Sequence, residues 1–206
     1  MSIQILFAPT AELARSAQAD ITVEAEYGSY VWEGTVFTAA HHQKDGPYQG
    51  RHQGGDQPSP CNDPRIPVCP DGGMIGVSHF DLDTLGGVLR ARGLTGFFRG
   101  RLASFWDLAE FVDVNAPHKL GESGASQTDL EYLHAFWAWS NANRLPRYEE
   151  VTDVTSFFVN AADVLRGILS DDEQLLEAGR VFKAEEAKLN TESFMDGVGG
   201  VICRVH

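Results

Sequence analysis

The sequence predicts an α/β fold: a central, mostly parallel sheet with an N-terminal hairpin and a helical C-terminal half. Three observations lead there. β-Branched and aromatic runs fill the N-terminal region, MIGVSHFDLDTLGGVLRARG reads as a buried strand running through a turn into a helix, and helical periodicity dominates residues 127–192. A chain of 206 residues can bury one substantial core, so residues 1–206 are read as a single α/β domain.

In chain order, SIQILFAP, ITVEAEYGSYVWEG and TVFTAAHH read as strands, with breaks at Gly28 and Gly34 that suggest a tight hairpin and put His41 and His42 at a strand end. Residues 43–73 are crowded with Gly, Pro, Asp, Asn and Gln and read as a long loop over an active site. MIGVSHF is the next strand, and the helix after it should end at Gly93. A short helix from about Ser104 to Ala109 leads into EFVDV, read as a second parallel strand ending at Asp113. Helices follow at Thr128 to Asn143, Val154 to Ser170 and Asp172 to about Thr191, with Ser126 or Thr128 and Ser170 or Asp171 as N-caps. GVGGVICRVH reads as a last strand, which either completes the sheet or precedes a further segment.

The formal net charge is -13 and the pI about 4.8, which argues against long nucleic acid and acidic membranes as partners and for a small-molecule substrate, with a homo-oligomer compatible. Arg90, Arg92, Arg99 and Arg101 form a local basic cluster, either a solvated face or a receiver for a small anion. Cys61, Cys69 and Cys203 are too few for a disulfide scaffold and suggest a reducing, cytoplasmic setting. No stretch reaches the roughly 18 apolar residues of a membrane span, and the N-terminal apolar run is short for a signal peptide.

The densest chemistry is Ser78-His79-Phe80-Asp81-Leu82-Asp83 at the junction of strand and helix. Alternate residues of an extended segment share a face, so His79, Asp81 and Asp83 can converge on one or two divalent ions, Mn²⁺ first, Zn²⁺ or Fe²⁺ next. The competing reading makes Asp81 or Asp83 a helix cap and His79 a hydrogen-bonded core residue. His41, His42 and Asp113, at other strand ends, complete the expected ligand set. His118 and His42 are candidates for proton transfer. Arg51, His52, Arg65 and Arg99 are candidates for holding an anionic substrate. Two further possibilities are a zinc site using Cys61 and Cys69 with His41 or His52, and a thiol nucleophile at Cys61 with His41 or His42 as its base. His134, within the stripe Leu130, Leu133 and Trp137, reads mainly as a core histidine.

SHFDLDTLGG resembles the H-x-D-x-D-G motif of the DHH phosphoesterase superfamily, and AHHQ at residues 40–43 is similar to that superfamily's DHH element. FVDV, with Asp113, is similar to the intermediate motif that supplies a bridging aspartate. Ala40 stands in place of the Asp of DHH, Thr84 in place of the Gly of the D-G pair, and the two motifs occur in reversed order, as a circular permutation would leave them. The resemblance implies a dinuclear Mn²⁺ or similar site and hydrolysis of a phosphoester. The residues themselves suit a metal-dependent hydrolase of a small, anionic substrate, with a small amide or C–N bond as the alternative target. From a different class, the acidic helices between residues 149 and 192 would make a non-catalytic protein-interaction module.

Overall fold

A computed structural model describes residues 2–24, 37–39, 59–115 and 117–195. These fall into two compact units, Met1–Ala125 with Leu145–Asp163, and Ser126–Arg144 with Val164–His206.

The first unit is the α/β one. Its sheet contains β1 (Gln4–Phe7), β2 (Ile21–Val23), β3 (Phe37–Ala39), β4 (Met74–Val77) and β5 (Thr152–Asp153), in the order β3-β2-β4-β1-β5. The first four run parallel, and the two-residue β5 pairs antiparallel with β1. Ile5, Ile21, Val23, Ile75 and Val77 are fully buried, the continuous apolar pattern expected of parallel strands. β2 and β3 differ from the expected hairpin: they pair in parallel, Ile21 beside Phe37 and Val23 beside Ala39. A two-residue turn cannot join parallel neighbours, which need a crossover connection. Gly28 and Gly34 lie outside the described residues, as do the C-terminal GVGGVICRVH segment and residues 43–58 of the long loop.

Between β1 and β2 runs α1 (Ala11–Ala17), capped by the Thr10 hydroxyl. After β4 comes α2 (Leu82–Ala91), which ends as expected just before Gly93 at φ +70°. EFVDV is not a strand. It is the second half of α3 (Ala103–Val114), because Phe105, Leu108, Ala109 and Val112 keep the helical spacing and extending an existing helix costs little. Its two valines at alternate positions imitate the period of a strand. Asp113 therefore sits in the last turn of a helix.

Residues 59–73, part of the expected loop, send Cys61, Ile66 and Cys69 into the core while Arg65, Val68 and Asp71 stay exposed. A 3₁₀ turn at Pro60–Asn62 packs under α2, with Ser59, Pro60 and Cys61 buried. The glycine pair in α2 makes this approach possible. A Cβ on Gly86 would stand 2.4 Å from Cys61 Cβ and 2.7 Å from Trp106 Cζ3, and one on Gly87 would stand 2.5 Å from Val23 Cγ1. Just ahead of α2, the aromatic ring of Phe80 stands edge-on to Phe157 and Phe158.

In the second unit α4 (Gln127–Ala142) packs along α6 (Glu173–Met195), which Arg180 braces through Glu173 and Glu177. α5 (Thr155–Ile168) begins in the first unit and ends in the second. Ser126 caps α4 as expected, while the cap ahead of α6 is Asp172, whose carboxylate accepts from the Gln174 and Leu175 backbone N–H groups. His134 is a core residue, its Nδ1 donating to the Leu130 carbonyl and its ring edge-on to Trp137. No helix among the described residues is long and apolar enough to cross a membrane.

Gly86→Ala tests the helix-to-turn contact. Helix propensity alone favours alanine by about 1 kcal/mol, but the collision with Cys61 and Trp106 should lower unfolding free energy by about 1–3 kcal/mol, measured by urea denaturation. An increase would mean that α2 does not rest on this turn.

Candidate functional site at the carboxyl edge of the sheet

In an open parallel sheet, ligands bind beyond the carboxyl ends of the strands. The residue that follows β2 is Glu24, and β4 leads through Ser78 and His79 into the cap of α2. With Val23 opposite Val77, Glu24 and Ser78 are the next pair in register.

Asp81 divides its carboxylate between two tasks. Oδ1 accepts the Thr84 N–H at 2.7 Å and caps α2, while Oδ2 lies 3.2 Å from His79 Nε2. Both side chains keep contact with solvent, 39% exposed for His79 and 31% for Asp81. Partial burial works to raise the Asp81 pKa, but the charge and hydrogen bond of His79, with the Thr84 N–H, outweigh it and hold this carboxyl below the ordinary range. On the other side of the ring, His79 Nδ1 lies 3.0 Å from Ser78 Oγ, and the Ser78 hydroxyl donates to the Glu24 carbonyl.

Asp83 takes a different direction from the one the alternating pattern suggests. The helix starts at Leu82, so Asp83 is already rotated inward; it is only 2% exposed, and its Oδ1 accepts the Cys61 N–H at 2.8 Å. Burial, followed by the negative charges of Asp81 and Asp113, pushes its pKa well above the carboxylate range, against the hydrogen bonds from Cys61. Asp113 also acts on Asp81, so Asp81 and Asp113 together set the negative potential in which Asp83 is buried. Beside them Asn62 Nδ2 bridges the Trp106 carbonyl and Glu110 Oε2, at 3.2 and 2.7 Å.

The other expected residues are distributed as follows. His41, His42, Arg51 and His52 lie outside the described residues. His118 falls in a 3₁₀ turn at Pro117–Glu122 whose placement says nothing of its imidazole. Arg65 grips the buried Asp63 with two hydrogen bonds of 2.8 and 2.9 Å. Arg99 rests on the Thr95 hydroxyl, and Arg90 donates to the Cys61 carbonyl while lying 3.9 Å over the Phe98 ring. Cys61 is buried and its thiol donates to the Trp106 carbonyl; burial first, then Asp83, Glu110 and Asp113, pushes its pKa well up. Burial and Asp20 raise Cys69 to about 11. Both sulfurs are thus protonated at neutral pH, which does not suit a thiolate nucleophile.

Among the described residues, no three His, Cys, Asp or Glu side chains are grouped so as to close around an ion. What they offer is a pair, His79 Nε2 and Asp81 Oδ2. Two donors that each bind one ion at about 2.1 Å stand roughly 3.0 Å apart in an octahedral site and about 3.4 Å apart in a tetrahedral one, so the observed 3.2 Å fits adjacent ligands. Glu24 and Ser78 had no assigned role in the sequence. Ser78 is signalled only by its position before His79, and Glu24 by a carboxylate directly after the apolar run ITV, buried to 1% exposure.

Asp83 makes a pH prediction. Its folded pKa lies above the unfolded value of about 3.9, so its contribution to stability is fullest below that value and is lost as pH rises through the folded pKa. Asp81, with a lowered pKa, has the opposite sign: its contribution is present above the unfolded value and lost on acidification. In EDTA, Asp83→Asn keeps an acceptor for the Cys61 N–H and should unfold at a higher urea concentration than wild type at pH 8, converging with it near pH 4. Lower stability at pH 8 would show that the Asp83 carboxylate supports the fold.

Comparison of the chain with protein-family models, curated proteins and solved structures returns no match.

Proposed function

We propose that the chain is a metal-dependent hydrolase of a small substrate, with a divalent ion held by His79 and Asp81 at the carboxyl edge of the sheet. The observation that supports this most directly is the 3.2 Å separation of His79 Nε2 and Asp81 Oδ2 on a strand-to-helix junction. Asp81 is a pre-set ligand, because its capping bond to Thr84 fixes the carboxylate and leaves one oxygen for His79 or an ion. The charges of Asp81 and Asp113, which add to burial in disfavouring the ionised form of Asp83, also favour a cation there. When bound, a divalent ion lowers the pKa of a coordinated water toward neutrality and polarises the bond to be cut.

A Ser-His-Asp hydrolase is the obvious competitor, since Ser78, His79 and Asp81 form one hydrogen-bonded chain. The proton bookkeeping speaks against it. The Ser78 hydroxyl proton is directed at the Glu24 carbonyl, so the imidazole is not placed to remove it. With two protein donors in the pair, coordination positions are left for water and substrate, as catalytic rather than structural sites require. A reducing, cytoplasmic setting goes with this reading, supported by the sparse set of three cysteines.

Asp81→Asn is the decisive variant, because asparagine caps a helix as well as aspartate does but is a poor ligand. Wild type should bind Mn²⁺ saturably in an EPR titration and hydrolyse members of a panel of phosphoesters and small amides. Asp81→Asn should keep the wild-type circular dichroism, bind Mn²⁺ at least tenfold more weakly and lose turnover. No saturable binding by wild type up to about 1 mM, a free energy of about 4 kcal/mol, would end the hydrolase reading.

A further inference from the structure

Glu24 has φ 49°, in the left-handed region that a residue with a side chain rarely enters. Its place in the sheet explains what that conformation achieves. In an extended strand the N–H and C=O of one residue point to the same neighbour. The Glu24 N–H continues the ladder to β3, donating to the Ala39 carbonyl at 2.7 Å. Had the strand stayed extended, the Glu24 carbonyl would face β3 as well. The left-handed turn carries it instead to the β4 side, where it accepts from the Ser78 hydroxyl.

A carbonyl oxygen only accepts, and a hydroxyl has one proton. That proton is committed to Glu24, so the Ser78 oxygen can face His79 Nδ1, 3.0 Å away, only as an acceptor, and Nδ1 must carry hydrogen. On the far side of the ring, Nε2 lies 3.2 Å from Asp81 Oδ2. A cation taken up at Nε2 would find a ring already oriented by its other nitrogen, the arrangement that metal-ligating histidines need.

We infer that Ser78 is a positioning residue: backed by the Glu24 carbonyl, its oxygen holds the Nδ1–H of His79 and reserves Nε2, beside Asp81, for a divalent cation. The second half of this rests on the metal reading above; the first half stands on hydrogen-bond geometry alone, and the two are tested separately.

The first measurement is long-range ¹H–¹⁵N NMR on the full chain labelled at histidine, in EDTA, with His79 assigned by its absence from His79→Gln. Wild type should show an Nδ1–H resonance protected from exchange with water. Ser78→Ala should lose that protection, and Ser78→Thr, which retains a hydroxyl, should restore it. The second measurement is Zn²⁺ affinity, with Zn²⁺ alone as the probe. Ser78→Ala should bind about 10- to 100-fold more weakly, Ser78→Thr close to wild type.

An unprotected Nδ1 proton in wild type overturns the relay, as does equal protection in wild type and Ser78→Ala; if Ser78→Ala unfolds, the wild-type resonance and Ser78→Thr decide alone. A protected Nδ1 proton with no Zn²⁺ uptake by wild type upholds the relay and removes the metal reading.

Discussion

The Asp81 carboxylate joins the local structure to the chemistry of the site, because its two oxygens serve different elements. Oδ1 satisfies an N–H that the first turn of α2 would otherwise leave bare, and Oδ2 reaches His79. The helix start and the histidine position are thus set by one planar group. Losing the cap would cost the start of α2 about 1 kcal/mol and free the carboxylate that faces His79. The exposed edge of the site therefore inherits its rigidity from a buried helix.

That helix is held by an unusually close contact. Gly86 and Gly87 let the Pro60–Asn62 turn and β2 approach the α2 backbone to distances that any side chain would block. The approach brings the Cys61 N–H within 2.8 Å of Asp83 and lets Arg90 reach the Cys61 carbonyl at 2.6 Å. One consequence is electrostatic: a carboxyl placed in the interior near Asp81 and Asp113 has its ionised form disfavoured. The contact that packs the helix is thus also the one that holds Asp83 against ionisation.

Much of the scaffold was legible in the sequence. The apolar run into β4, the aspartate that caps α2, Gly93 at its end and the periodicity of α4, α5 and α6 are local signals, and the structure follows them within a few residues. The errors have equally local causes. EFVDV carries alternating valines yet continues a helix already formed upstream, and β2 and β3, each a short apolar run, contain nothing that tells parallel from antiparallel pairing. At the site, the H-x-D-x-D spacing suggested three ligands on one face. That geometry lasts only while the chain is extended, and the helix begins between the two aspartates.

The sequence by itself determined the α/β class, the strand-to-helix junction at Ser78–Asp83 and the pairing of His79 with Asp81, because each depends on neighbours a few residues apart. Tertiary structure decided the rest. Cys61 meets Asp83 across 22 positions and Ser78 meets Glu24 across 54. Contacts of that separation follow from sheet order and helix packing, which no local pattern encodes. Only the fold could turn Asp83 inward, assign Arg65 to Asp63 and set the Glu24 carbonyl behind Ser78, because each needs a partner delivered by another element.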